Sequence, residues 1–353
     1  MSSSYGLERL WLWAMELIEK LVTWLGLPYI FAYTLEKIVF GVALLVFIAL
    51  SSLYLIWLER KVSAHMQSRM GPMHVGGWHG WAQTLADMVK LLFKEDIIPA
   101  KADKWVHRIA PIVVFVPSLM AFLVIPFEKN LIGQDLNIGI LLIFAFSSIA
   151  VLAIIMGGWA SNNKYTLLGG IRSAAQMVSY EIPLVLSILS IVMVVGSLKL
   201  NDMVVAQKDL WFVFTQPLAF ILYLIAGTAE VNRTPFDLPE AESEIVSGYN
   251  TEYSGLKYGF FMLSEFTNML IISMVAATVF LGGWNVPAWL SFLPGVVVLL
   301  LKTYLIVFIL MWFRWTFPRL RVDRLMDFGW KILIPLAFLN IFIIGVRMVV
   351  FKW

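Results

Sequence analysis

The chain alternates between long apolar runs and shorter polar connections. Taking about 20 residues as the length that crosses the hydrocarbon core of a bilayer, the pattern predicts eight spans. They lie at 38–58, 109–127, 138–160, 174–196, 212–230, 256–281, 294–313 and 331–351. Each is predicted to be a helix, because a lone strand would leave its backbone polar groups unpaired in lipid. The predicted fold class is therefore an all-α integral membrane protein, a bundle of about eight transmembrane helices with amphipathic surface helices.

Two further segments have the period of a helix but carry too many charges to cross a membrane. The apolar stripe of residues 7–25 consists of Leu7, Trp11, Ala14, Ile18, Leu21 and Leu25. In residues 80–96, GWAQTLADMVKLLFKED, the apolar face consists of Trp81, Leu85, Met88 and Leu92. Both segments are predicted to lie along the membrane surface.

The distribution of Lys and Arg orients the bundle. The segments after spans 1, 3, 5 and 7, with the first two residues of each following span, hold 17 of the 26 basic residues. The positive-inside rule places these segments in the cytoplasm and both termini outside. Residues 1–353 are thus predicted to be one transmembrane domain. It has an N-terminal amphipathic segment over about 1–35, a first cytoplasmic loop at 59–108 and an acidic cytoplasmic loop at 231–255.

Composition agrees with a membrane protein and limits its chemistry. Of the residues, 60% are hydrophobic and 14% are charged, and the mean hydropathy is +0.84. Cysteine is absent, and the four histidines all lie between His65 and His107, outside the predicted bilayer. Thiolate-held clusters and intramembrane histidine pairs for haem are therefore excluded. The spacing of His74 and His79 is poor for a metal, so no metal site is predicted and any redox centre must belong to a partner.

The first candidate site is the sequence ERK at the cytoplasmic end of span 1. Arg60 and Lys61, with Arg69 further on, are expected at the end of a span, where basic residues flank the membrane. Glu59 is not explained in this way.

A second candidate is Glu181, which lies inside span 4. An unpaired carboxylate at that depth costs about 2.5–3.5 kcal/mol on insertion scales, so it is normally turned inward and paired or protonated. Such a group can load and unload a proton, or it can make a structural hydrogen bond. Arg172, near the cytoplasmic edge, is a possible gate or partner.

A third candidate is the combination of Glu265 in span 6 with Lys302 in span 7. A buried lysine that pairs with a glutamate and releases it when protonation changes would form a charge relay. Lys302 could instead extend its ammonium group to the membrane surface.

The fourth candidate is the stretch EVNRTPFDLPEAESEIVSGYNTEY. It carries six of the 23 acidic residues and one basic residue, Arg233. Asp237 and Glu240 have the spacing of a capping box at a helix start, with Pro239 in the first turn. This explanation leaves four acids without a capping role and without local cations: Glu230, Glu242, Glu244 and Glu252. Crowded carboxylates titrate as a group, so the cluster can hold protons and respond to a nearby change of charge.

Four runs that contain these candidates resemble a known family. They are LERKVSAHMQSRMGP, GGIRSAAQMVSYE, AEVNRTPFDLPEAESEIVSGYNTEYSGLKYGFFMLSEF and RWTFPRLRVDRLMDFGWKILIPLAFLN. The chain is similar, from about residue 35 to the C-terminus, to the H subunits of proton-pumping NADH:quinone oxidoreductase, the bacterial respiratory complex I. The mitochondrial counterpart is NADH dehydrogenase subunit 1. Small departures are Met73, where the family usually has Asn, and Val231, where Thr is common.

The resemblance implies a membrane-arm subunit that forms much of the quinone chamber under the peripheral arm. Glu59 and Arg60 would line its mouth, and Lys61, Arg69 and Arg233 are also assigned to the chamber. The amphipathic helices would guide quinone or merely stabilise the surface. The family's acidic funnel would consist here of Glu181, Glu230, Asp237, Glu240, Glu242, Glu244 and Glu252. Flavin and iron–sulfur clusters would belong to partner subunits, and quinone would be the substrate.

The implied partners are the peripheral-arm quinone-site subunits, small membrane subunits and antiporter-like subunits, together with lipid and without nucleic acid. The implied location is the bacterial plasma membrane. One alternative is the homologous subunit of a membrane-bound hydrogenase or of a ferredoxin- or deazaflavin-linked dehydrogenase. A stand-alone ion-coupled transporter is a more distant alternative, since the sequence has no internal repeat.

Overall fold

The computed structural model describes residues 7–24, 28–239, 242–286 and 293–351. The helices of the described part are α1 (Leu7–Trp24), α2 (Tyr29–Met66), α3 (Gln83–Phe93), α4 (Lys104–Ala121), α5 (Gly139–Ala160), α6 (Lys164–Val195), α7 (Leu200–Ala206), α8 (Phe212–Thr215), α9 (Pro217–Glu230), α10 (Glu242–Ile245), α11 (Gly255–Phe280), α12 (Gly295–Thr316), α13 (Val322–Phe328) and α14 (Ile334–Phe351). Short 3₁₀ turns follow α4 and precede α11, and a π turn at Gly329–Leu333 joins α13 to α14. No described residue forms a strand.

The all-α membrane bundle predicted from the sequence is confirmed. Within the described ranges, seven helical segments are long and apolar enough to cross a membrane. They include seven of the eight predicted spans. The fifth, predicted at 212–230, consists instead of the short turn α8 and of α9, which has 14 residues. At 1.5 Å per residue α9 is about 21 Å long, less than the bilayer core of about 30 Å.

The break before α9 has a local cause. Pro217 is the first residue of α9, a position where its missing backbone N–H leaves no helical hydrogen bond unmade. Proline also disfavours a helical conformation for the residue before it. Gln216, just before it, has the non-helical angles φ −133° and ψ 59°. Its side chain accepts a hydrogen bond from Ser190 of α6 at 2.8 Å, which fixes the break inside the bundle.

Two helices are longer than their predicted spans. The helix predicted at 38–58 runs from Tyr29 to Met66, and the one predicted at 174–196 begins at Lys164. A hydropathy profile ends a span at the first charged residues, whereas these helices continue beyond the apolar run, where Glu59, Arg60 and Arg172 form ion pairs. The two predicted amphipathic helices are found as α1 and α3, and the apolar residues Leu85, Met88 and Leu92 of α3 are exposed.

Helix α11 lies at the centre of the described bundle. Almost all of its side chains from Phe266 to Phe280 are buried. The buried hydroxyl groups of Thr267 and Ser273 donate to carbonyl oxygens four residues earlier, at 2.6 and 2.8 Å. They therefore cost little in an apolar interior, because a buried polar group with a partner is not penalised.

The loop after α9 lies against α6 through two glycines. A Cβ atom on Gly169 of α6 would lie 2.6 Å from the Cα atom of Gly248. Gly248 itself has φ +57°, and a Cβ atom there would lie 2.0 Å from the carbonyl oxygen of Pro239. Glycine at both positions allows the acidic loop to fold down on the start of α6.

The same loop contains a correction. The capping box predicted at Asp237 and Glu240 would start a helix at residue 238, but the next helix begins at Glu242. The connection forms tight turns instead, because the buried Gln176 side chain donates to the carbonyl oxygens of Ala229 and Phe236 at 2.7 and 2.6 Å. Glu240 lies outside the described residues.

Candidate functional site

Four charged side chains meet where the ends of α2, α9, α11 and α12 come together. Arg233 follows α9, and its Nη1 donates to both carboxylate oxygens of Glu59 at 2.9 Å. Its Nη2 lies 3.0 Å from Oε1 of Glu265 on α11. Arg314 on α12 also donates to Glu59. The Arg233 side chain is only 3% exposed, so this is a buried ion cluster of two acids and two guanidinium groups.

The backbone after α9 delivers Arg233 to this cluster. Asn232 has φ +54°, a left-handed conformation that asparagine tolerates better than most residues. The reversal allows the Arg233 N–H to donate to the carbonyl oxygen of Thr228 at 3.2 Å, which closes the end of α9. The guanidinium then lies 4.8 Å from the ring centre of Phe266, a cation–π distance.

The relay predicted between Glu265 and Lys302 is wrong. Glu265 pairs with Arg233. The Lys302 ammonium donates instead to the carbonyl oxygens of Gly283 and Asn285, at 2.8 and 2.9 Å, in the connection at the other end of α11. It also lies 4.6 Å from the ring of Trp211. Glu265 lies 15 residues before the end of α11, whereas Lys302 lies 7 residues after the start of the next long helix, α12. The two side chains therefore lie at different depths in adjacent helices.

Two carboxyl groups inside the bundle share one cavity. Glu181 on α6 and Glu230 at the end of α9 both line a space of about 40 Å³. Consecutive serines of α5 contact them: Ser148 donates to Glu181 at 2.6 Å, and Ser147 donates to Glu230 at 3.2 Å. Glu181 is half-buried, and its hydrogen-bonding partner is the exposed hydroxyl group of Ser148 and not Arg172.

A second cavity of about 20 Å³ lies between these carboxyl groups and the buried ion cluster. It is lined by Glu265, Glu230 and Asn232. Glu230 lines both cavities, and so does Asn268 of α11. A water molecule needs about 10–15 Å³. The two cavities therefore have room for water along a line from Glu265 past Glu230 to Glu181.

The predicted absence of cations near the loop acids is wrong for Glu244. Its carboxylate lies 2.6 Å from Nη1 of Arg172 and 3.0 Å from Nη2 of Arg319. The hydrogen bond from Arg172, with the charge of Arg319 next in importance, lowers the pKa of Glu244 below its ordinary value. Arg172 is thus a partner of the loop, and it holds the loop to α6.

The other loop acids with described side chains, Asp237 and Glu252, line neither cavity. Glu252 accepts a hydrogen bond from Asn163 at 2.6 Å, at the start of α6. Asp237 is half-buried in the turns between α9 and α10. The side chain of Glu242 is outside the described part of the structure.

The basic residues after Glu59 point elsewhere. Arg60 pairs with Asp87 of α3 at 2.6 Å, which ties α3 to the end of α2. Lys61 donates to the carbonyl oxygen of Pro72 at 2.7 Å, and Arg69 is exposed beside Gln67. Of the five residues predicted to line a chamber, only Glu59 and Arg233 meet.

Several residues of the site are not evident from the sequence. Arg314 and Arg319 look like part of a basic flank, and Ser147 with Ser148 like part of an apolar span. The adjacent pair of serines in the middle of span 3 is an available signal, because hydroxyl groups at that depth need a partner. Among the described residues, no group of three or more His, Cys, Asp or Glu side chains is placed to hold a metal ion.

Comparison of the sequence with known proteins identifies the family of this chain. Residues 39–345 match the NADH dehydrogenase family. The H subunit of the NADH-quinone oxidoreductase of Bacillus mycoides (strain KBAB4) is 53% identical over 308 residues, 87% of this chain and 92% of that protein. The same figures hold for the H subunits from Bacillus thuringiensis (strain Al Hakam) and Bacillus anthracis (strain A0248). The chain therefore belongs to the NADH dehydrogenase family that includes the H subunits of NADH-quinone oxidoreductases.

Proposed function

We propose that this chain is the H-type membrane subunit of an NADH:quinone oxidoreductase, that it forms one wall of the quinone chamber, and that it couples quinone reduction to proton movement. The names of the 53% identical relatives support the first part. The chain would act as part of an enzyme complex, with quinone as substrate and without a complete active site of its own. Flavin and iron–sulfur clusters would be held by partner subunits.

One observation carries the coupling role. Titratable groups form a series through the bundle, from the ion cluster of Glu59, Arg233 and Glu265 to the cavity of Glu230 and Glu181. Buried ionisable groups are expensive in a membrane protein and mark pathways for ions or protons. A bundle with a purely structural role would not need this series of titratable groups.

The ion cluster is suited to sense a change of charge in an adjoining chamber. Its two carboxylates and two guanidinium groups are balanced, so a negative charge that appears or disappears nearby alters which acid holds Arg233. Interactions between charges are strong in this environment because little water screens them. A shift of Arg233 between Glu59 and Glu265 would then change the proton affinity of the groups that line the second cavity.

The chamber wall would be built on the cytoplasmic side. Glu59 and Arg233 would face it, while Arg60 and Lys61, both on α2, and Arg69, in the loop after α2, would lie at its mouth. The peripheral-arm subunits would cover this side, and the small membrane and antiporter-like subunits would contact the bundle within the bilayer. The location would be the bacterial plasma membrane with both termini outside, as the basic loops favour.

The experiment is the substitution of Glu181→Gln and Glu230→Gln, separately, in the assembled complex in membranes. Each should slow quinone-linked NADH oxidation by about tenfold or more, because proton transfer by a positioned side chain typically contributes 10²–10⁴-fold. NADH oxidation by an artificial acceptor that takes electrons before quinone should be unchanged. Asp202→Asn, an exposed carboxylate on the short helix α7, is the matched control and should leave both activities intact. Unchanged quinone-linked oxidation in both glutamine variants would remove these carboxyl groups from the reaction.

A further inference from the structure

Asn268 is a polar residue that lies between the two cavities, and the proposed function gives it no role. It lies on α11 and lines both the cavity that reaches Glu181 and the smaller one that reaches Glu265. The helices around it are apolar, and a leucine would fill the same space at lower cost in a membrane. An amide at this point therefore calls for a polar neighbour.

Serine hydroxyl groups fix the orientation of this amide. Ser118 of α4 donates to Oδ1 of Asn268 at 2.7 Å. The hydroxyl group of Ser118 lies 3.2 Å from that of Ser264, which in turn donates to the carbonyl oxygen of Val114 at 3.3 Å. The oxygen of Asn268 is thus engaged by α4, and its amide nitrogen remains as a hydrogen-bond donor.

Two buried oxygen atoms beside the cavities have no protein partner within the described part of the chain. They are Oε2 of Glu230 and Oδ1 of Asn232. Buried polar atoms in proteins nearly always have a partner, either protein or ordered water. A buried water needs two to four polar contacts and about 10–15 Å³, and the cavities of about 40 and 20 Å³ provide both.

We propose that the two cavities hold ordered water, and that Asn268 binds the water that joins them into one hydrogen-bonded chain from Glu265 past Glu230 to Glu181. The inference rests on the proposed function and assigns a positioning role to Asn268, Ser118 and Ser264. The amide itself does not carry the proton. A water gives one proton to a carboxylate and takes one from the carboxyl group behind it, so the number of waters and the total charge are conserved.

The test compares Asn268→Leu with Asn268→Ala in the assembled complex. Leucine fills the junction without a polar group, so proton translocation and quinone-linked NADH oxidation should fall about tenfold, because a buried water loses a hydrogen-bonding partner there. Alanine leaves space that a further water can occupy, so activity should stay within about twofold to threefold of wild type. A residue with only a packing role would give the reverse order, since alanine creates the larger hole.

The control is Thr267→Val, the neighbouring residue on the same helix. Thr267 is buried, donates to the carbonyl oxygen of Leu263 and lines neither cavity. Its substitution should change neither activity. NADH oxidation by an artificial acceptor, measured on washed membranes of every variant, reports that the electron-carrying partner subunits are attached to the membrane part of the complex.

If Asn268→Leu prevents assembly, Ser118→Val and Ser118→Ala pose the same question on the opposite side of the cavity. The valine variant should be impaired and the alanine variant active. The inference is overturned if the leucine or valine variants translocate protons normally, or if alanine is the worse substitution at both positions. Normal translocation by these variants while Glu181→Gln is impaired would leave the proposed function intact, whereas normal translocation by Glu181→Gln would remove the function itself.

Discussion

Loss of Arg233 should destabilise the bundle more than loss of any exposed arginine. Its guanidinium makes three close contacts to the buried carboxylate of Glu59 and the half-buried carboxylate of Glu265, at 2.9, 2.9 and 3.0 Å. Breaking a buried ion pair by removing one partner costs about 3–5 kcal/mol, because the other charge loses its compensation. We therefore expect Arg233→Met to lower the free energy of unfolding by about that amount. Met retains most of the side-chain volume, so the loss of charge is the main change.

The assay is thermal denaturation of the solubilised complex. The signal measured is the release of this subunit from the complex as the temperature rises. Arg324→Met, on the exposed surface of α13, is the control and should change stability by less than about 0.5 kcal/mol. Adding Glu265→Gln to Arg233→Met removes one charge of each sign and leaves Glu59 paired with Arg314.

The double variant should therefore be more stable than the sum of the single losses predicts, by about 1 kcal/mol or more. Simple additivity, or a single-variant loss no larger than that of Arg324→Met, would refute the description of a balanced buried cluster.

Two further predictions concern the loop after α9. Gly169→Ala should destabilise the packing of this loop against α6 by about 1–3 kcal/mol, because the new methyl group would meet Gly248. Proteolysis of the loop should increase. Arg172→Gln should cost about 0.2–1 kcal/mol at pH 7, since Glu244 is partly exposed. Because its pKa is lowered in the folded protein, Glu244 stabilises above its unfolded pKa, and this contribution is lost as the pH falls through the lower folded value. Thermal denaturation from pH 7 to pH 3 should show the two proteins converging at the acid end; a constant difference would contradict the pairing.

Much of the fold follows from hydropathy alone. The long apolar runs predict α2, α4, α5, α6, α11, α12 and α14, and helical periodicity predicts α1 and α3. Hydropathy predicts the wrong helix bounds where a charged residue lies inside a helix, or where a proline starts a new helix within an apolar run. Glu59 and Arg60 lie within the continuous helix α2, whereas Pro217 interrupts what looks like one uniform span.

The partners in the site cannot be predicted in this way. Glu59 and Arg233 are 174 positions apart in the chain, and nothing local to either residue specifies the other. The same holds for Glu244, whose cations come from α6 and from the segment after α12. The residue types of the site are visible in the sequence, but their pairing is a property of the packed bundle. The predicted Glu265–Lys302 relay failed for this reason.

The chamber role of Arg60, Lys61 and Arg69 stays a prediction. These side chains contact α3 and the loop at 67–73. The funnel role of Asp237, Glu240, Glu242 and Glu252 also stays a prediction.

The measurement that tests the central claim most directly is proton translocation by sealed vesicles that contain the complex with Glu181→Gln. The account predicts that acidification of the vesicle interior on NADH addition falls about tenfold or more, in parallel with quinone-linked NADH oxidation, while artificial-acceptor oxidation is unchanged. Wild-type rates of acidification and of quinone reduction in that variant would contradict the claim that this carboxyl group couples quinone chemistry to protons.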